Sequence, residues 1–298
     1  ALVGTFFYPA RNATIPNIVP EGLLLAANGL IQGSYIIALT LGPTLAGMII
    51  DLAGLQPAIL FDSSAFVFSA LTIFLLRIRR QNGGSVDSED RGSVWQEMKY
   101  GLVYIRSSRI LRRVLYVTAA TTLGLGAIII LGIPHLKNRL AAGGLAYGGA
   151  MSMLGIGSVL GGLMVTRLSR RLSTNLIVGG VLMAGGVAVF VFTFTTNYIV
   201  VLLSVMMLGV CIVIARGALD TITQTLPPDQ VRGRVQSAVN LTVQAGIALA
   251  EGLSAVLGHF TSIQAVFVGA GAAMVAAGAA AAFSLREAAY LVSRRKHD

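Results

Sequence analysis

This chain is poor in the residues that soluble chemistry draws on. Charged residues make up 11% of its 298, acids number only 12, and there are three histidines and one cysteine. The lone Cys211 excludes an internal disulfide and offers no redox pair. His135, His259 and His297 stand apart, each without a second ligand nearby, so no metal site, catalytic triad or cofactor is expected. An integral enzyme would show such ligands clustered at the membrane surface, and their lack argues against an enzyme. The long apolar runs do not alternate, which disfavours a β-barrel and favours helical spans.

What is present is apolar: 55% of residues are hydrophobic and the mean hydropathy is +0.79. That is no soluble globular composition. The net charge of +10 could suit nucleic acid, but the basic residues gather in short stretches between apolar runs. Cytoplasmic loops of membrane proteins have this distribution. A lipid bilayer, not nucleic acid, is the expected partner.

Eight apolar runs each approach the ~20 residues that a bilayer crossing requires. They fall at about 23–50, from past Pro57 to 76, and at 114–133, 145–166, 174–195, 197–222, 235–258 and 262–284. Residues 1–10 read as the stub of another span, opening on Ala1 without an initiator Met, as a truncated chain would. A turn from Asp51 to Pro57 and arginines at 77, 79 and 80 bound the second run. Residues 81–93 have the composition of a solvated linker. Trp95, Met98, Leu102 and Ile105 then recur at helical spacing, predicting an amphipathic helix on the cytoplasmic surface, with Trp95 as interface anchor. Arg167, Arg170 and Arg171 form one basic loop, Arg232 and Arg234 lie in another, and the tail is basic, so the C-terminus is expected inside. Lys137 and Arg139 on the opposite side break this rule mildly.

The chain also repeats itself. At one constant offset Pro20-Glu21 falls on Pro228-Asp229, Asn28 on Gln236 and Gln32 on Asn240. A parallel duplication of this size implies two like halves. It divides the chain into 1–80, the rest of a first half; 81–108, a linker with its amphipathic helix; and 109–298, a second half with six spans. It also predicts that about a hundred residues, room for roughly three spans, are missing from the front.

The run at 23–50 organises the rest. Ala38, Gly42 and Ala46 stand four apart on one helix face, where another helix can approach at backbone distance. Pro43 removes the hydrogen bond to Leu39 and should bend the helix. Gly155, Gly157, Gly161 and Gly162 lie inside a span, where no helix N-terminus is offered to a phosphate, so they are read as packing residues. The Ala38/Gly42/Ala46 face is their expected partner across the half-to-half contact. Gly246, Ala250, Ser254 and Gly258 form a second small face, its partner expected in the missing region.

Nine segments plus three missing make twelve, and the chain resembles the major facilitator superfamily along its whole length. Gly29, Ala38, Gly42, Pro43, Ala46 and Gly47 are similar to its exporter-associated Gly-Pro motif, with Ala at two positions where Gly is usual. The run from Gly162 to Arg171 resembles a worn copy of its loop motif, with Thr166 for the usual acid and Ser169 for the usual glycine. The stretch from Pro9 to Pro20, running into Ala27-Asn28, resembles the enterobactin-exporter and macrolide-efflux branch. The resemblance implies an all-α polytopic fold lacking about its first three spans, with Gly42, Pro43, Gly47, Gly157 and Gly161 in the helix-packing motif.

Polar residues inside the spans are the candidate site. Gln236, Asn240, Gln244 and Glu251 fall within an arc of roughly 80°. Asn28, Gln32 and Tyr35 form the matching face on the first run. Such stripes either line a substrate cavity or hold helix to helix. Glu251 is the proton-coupling candidate; the alternative is that, standing about 10 Å from the outer end, it simply reaches outer water. Asp62 lies at comparable depth and is the weaker candidate. Arg216 and Asp220 have ion-pair spacing. Either they form a local pair, or Asp220 accepts Arg167, Arg170 or Arg171 in a cytoplasmic latch of the outward-facing state. The expected whole is a monomeric, multi-pass transporter of a bacterial plasma membrane, exporting an amphiphilic drug- or siderophore-like molecule by proton antiport. An importer of the same fold and a non-transporting remnant are the alternatives.

Overall fold

A computed structural model describes residues 23–75 and 105–285 except 141–142, 170, 226 and 228, together with 19–20 and 103. The stub, the linker, Trp95, Arg170 and the basic tail lie outside the described residues, as do the side chains of Asn28 and Gln32. Among the described residues the fold is helical throughout. The helices are α1 (Leu24–Ala53), α2 (Leu55–Leu75), α3 (Arg109–Leu140), α4 (Gly144–Leu168), α5 (Thr174–Phe194), α6 (Tyr198–Thr225), α7 (Asp229–Phe260) and α8 (Ile263–Ser284). Seven helices are long and apolar enough to cross a membrane. The eighth, α3, flanks its apolar run with Arg109, Arg112 and Arg113 at one end and Lys137 and Arg139 at the other.

One buried cluster runs through α3, α4, α5, α6 and α8, from Val114 to Leu285. The helices meet there backbone to backbone, because glycines remove the side chains that would hold them apart. A methyl added at Gly186 would stand 2.7 Å from the Gly271 carbonyl oxygen, and one at Gly278 would stand 2.7 Å from that of Gly179. These contacts join α5 to α8. Arg139 explains the charge exception. Its Nη2 donates to the Thr193 carbonyl at 3.5 Å, and the Gln264 amide oxygen accepts from the same guanidinium. The arginine ties α3 to α5 and α8.

The seam between α1 and α4 differs from the expected one. Ala38 and Ala46 are exposed, and a methyl at Gly42 would meet nothing within 4 Å. The stripe against α4 is instead Thr40, Pro43, Thr44, Gly47 and Asp51. A methyl at Gly148 would collide with the Pro43 carbonyl, and one at Gly155 would stand 2.9 Å from the Thr40 hydroxyl. Thr44 and Ser152 hydroxyls share a 2.6 Å hydrogen bond across the seam. Gly42 points about 160° away from Thr44 around the helix. The closeness comes from glycines of α4, so α1 need not present its smallest face. Gly157 and Gly161 also depart from expectation. They lie against the backbone of Met206 and Val210 on α6, on the far side of α4 from Gly148.

The second small face has its partner within the chain. A methyl at Gly126 of α3 would stand 2.6 Å from Cβ of Ala250, and one at Gly246 would stand 2.7 Å from the Thr122 hydroxyl. Ser254 is buried in the same contact. Ile105, the last apolar residue of the expected surface helix, is buried with Leu111 against Val235, Ala238 and Val239.

The turn from α1 to α2 hangs on Gly54, whose φ of 90° and ψ of 176° belong to a region essentially confined to glycine. Gly54→Ala should cost about 1–3 kcal/mol of backbone strain. A lowered unfolding temperature of the detergent-solubilised protein checks this, and an unchanged one contradicts it.

Candidate functional site

Three helices build the site. α6 presents Ile212, Ala215, Arg216 and Leu219; α3 presents Thr118, Thr121 and Thr122; α7 presents Val243 and Ile247. Between them lies a niche of about 90 Å³. Two of its threonines donate to their own helix, Thr121 to the Val117 carbonyl and Thr122 to that of Ala119, both at 2.8 Å. The niche wall is therefore aliphatic, with hydroxyl oxygens left as acceptors.

Arg216 rims this niche and organises the polar groups. Its Nε donates to Asp220 Oδ2 at 3.3 Å, one turn along the same helix. Its Nη2 donates to Asn240 Oδ1 on α7 at 3.0 Å. The pair is partly exposed, with 45% of the Arg216 side chain and 29% of Asp220 accessible. One turn nearer the helix end, Thr223 donates to Gln236 Oε1 at 3.1 Å. So Gln236 and Asn240 bond α7 to α6, while Gln244 is exposed and Glu251 half-buried on the same helix. The expected stripe divides. Its first two residues join helices, and its last two have no such partner among the described residues. Tyr35 is exposed on α1.

Asp220 is held by Arg216, while Arg167 and Arg171 line a separate open groove with Met164 and Leu168.

A second polar contact went unseen in the sequence. At the far end of α1, Asp51 accepts from the backbone N–H of Gly144 at 2.8 Å and of Leu145 at 2.7 Å. These are orphan donors in the first turn of α4, and a carboxylate there also meets the positive end of the helix dipole. A methyl at Gly143 would stand 2.9 Å from Asp51 Oδ2, so glycine makes the room. The Gly143-Gly144 pair after a long span was the available signal, but nothing in sequence links it to an acid some 90 residues earlier.

His135 is buried where the rings of Phe192 and Phe267 meet it, with centroids 5.2 and 5.0 Å away. It is a core residue. Among the described residues no group of histidine, cysteine and acids is placed to hold a metal.

Comparison with known proteins accords with this architecture. The chain is 24% identical over 218 residues to the MFS-type transporter YkuC of Bacillus subtilis, covering 70% of this chain and 50% of that protein. It therefore spans about half of YkuC's length. Macrolide efflux protein A of Enterococcus faecalis is 30% identical over 108 residues, 36% of this chain and 33% of that one. Among solved structures, a bacterial homolog to the human lysosomal transporter Spinster, inward-facing and unoccupied, superposes with a TM-score of 0.57 at 16% identity. That superposition covers 96% of this chain and 74% of the other. The family model described as Major Facilitator Superfamily matches residues 1–251, so the glycine-seamed helices and their polar niche are those of a chain that belongs to the Major Facilitator Superfamily.

Proposed function

We propose that this chain works in a secondary transporter that exports an amphiphilic small molecule, of drug or siderophore class, across a bacterial plasma membrane in exchange for protons. One observation carries the reading. Arg216, Asp220 and Asn240 form a partly exposed polar rim directly beside an aliphatic niche. A molecule with one polar and one apolar end is what such a wall suits, because each part finds a partner without desolvating an unpaired group. The niche takes a fragment of the molecule, and the exposed Tyr35 and Gln244 are the further polar wall of the proposed cavity. The likeness to a protein named for macrolide efflux supports the outward direction.

Two six-span halves rocking about this wall supply alternating access. The seam of α1 and α4 is the sliding contact, and Arg216 joins α6 to α7 through Asn240 while holding Asp220 on its own helix. Glu251, half-buried on α7, is the group that loads and releases the proton. The basic end of the bundle, with the C-terminus, faces the cytoplasm.

Everted vesicles holding the protein with its natural upstream residues test this. They should take up lipophilic dyes or catecholate siderophores when the lumen is acidified. In Glu251→Gln that uptake should lose its dependence on the pH gradient. Coupling unchanged in that variant removes Glu251 from the mechanism. Flux seen only in right-side-out vesicles favours the importer, and no flux in either favours a remnant.

A further inference from the structure

Among the described residues, the arginines at the end of α4 meet no acid. Arg167 and Arg171, with Met164 and Leu168, line an open groove of about 490 Å³. The four positions follow one helical stripe, and the turn is continued past α4 by the Leu168 carbonyl accepting from the N–H groups of Arg171 and Leu172 at 3.0 and 2.9 Å. Met164 lies deepest and Arg171 furthest out, so the stripe passes from apolar to cationic along the span.

The acids whose side chains are described do not reach it. Asp51 caps the opposite end of α4, and Asp220 is taken by Arg216. Asp62 lies on α2, early in a helix that starts from the Asp51 end, and Glu251 lies in the half of α7 nearest that same end. Among the described residues no carboxylate meets Arg167 or Arg171. Two guanidiniums beside apolar side chains at a membrane boundary match a phospholipid in order as well as charge. Guanidinium groups suit a phosphate, and Met164 and Leu168 beside them suit the first methylenes.

We infer that this groove binds the headgroup phosphate of an anionic phospholipid in the leaflet at the basic end. That leaflet is the anionic one when the basic loops face the cytoplasm. Each arginine near an anionic membrane surface contributes on the order of fivefold in affinity, and two contribute on the order of 25-fold.

The test uses the purified full chain in detergent, titrated with phosphatidylglycerol, phosphatidylcholine or inorganic phosphate, with retained lipid counted by native mass spectrometry. Phosphatidylglycerol should bind on the order of 25-fold tighter than phosphatidylcholine. Arg167→Gln and Arg171→Gln should each remove about fivefold of that preference, and the double variant nearly all of it. Arg167→Lys/Arg171→Lys, which keeps the charge, should retain most of the preference and so separates lost binding from lost folding. Equal binding of the two lipids, or a preference that survives the double Gln variant, overturns the inference. Occupancy by inorganic phosphate that displaces phosphatidylglycerol at equal concentration overturns the lipid as the source. If Asp87→Asn/Glu89→Gln/Asp90→Asn creates a preference that the unaltered chain lacks, the linker's own carboxylates fill the groove and the lipid reading fails.

Discussion

Asp51→Ala should open the seam between α1 and α4. The carboxylate holds two backbone N–H groups at 2.8 and 2.7 Å, and hydrogen bonds to a charged partner contribute about 1.5–3 kcal/mol each when well shielded. These are exposed, so solvent screening reduces the sum to about 2 kcal/mol. An opening equilibrium shifted by that amount changes about 30-fold. Thr44, whose hydroxyl meets Ser152 across the seam, reports it. In a Thr44→Cys background, N-ethylmaleimide should label residue 44 about 30-fold faster once Asp51 is Ala. Asp51→Asn keeps an acceptor without the charge and should fall between. The native Cys211 is buried and contributes little background. Equal labelling rates in the three proteins would show that the cap does not hold the seam.

Arg216→Ala carries the second large effect, and it falls on transport more than on folding. Removing the guanidinium leaves Asp220 without its cation and Asn240 without its donor. Both sites are partly hydrated, so the loss of stability should stay near 1 kcal/mol. Efflux should drop at least tenfold, because the polar rim beside the niche then carries an uncompensated negative charge. Arg216→Lys keeps the charge but loses the fork that reaches both partners, so it should restore only part of the activity. Arg216→Ala/Asp220→Ala should regain the stability and stay inactive. A double variant with normal efflux would reduce the pair to a structural anchor.

The spans were legible because hydropathy answers to the bilayer. The expected run 174–195 became Thr174–Phe194, and 262–284 became Ile263–Ser284. The expected 114–133 and 235–258 grew into Arg109–Leu140 and Asp229–Phe260. Charged residues carry those helices beyond the hydrocarbon, where hydropathy stops but backbone hydrogen bonding does not. Faces were harder to read. Glycine marks a place of close approach without naming the neighbour, so Gly157 and Gly148 looked alike in sequence yet face opposite sides of α4. Within the polar stripe, Gln236 and Asn240 found helix partners that depend on Thr223 and Arg216, which no periodicity in α7 can disclose. Asp51 was read as turn material because its partners lie in another helix.

The contact of α5 with α8 has a mechanical corollary. Carbonyl oxygens of Gly179 and Gly271 lie in the spaces where Gly278 and Gly186 have no side chain. Met183 and Val275 fill the gaps beside those glycines, so a slip along the contact would drive side chain and carbonyl alike into backbone. The two helices therefore form one plank, and bending falls more easily to the other rods.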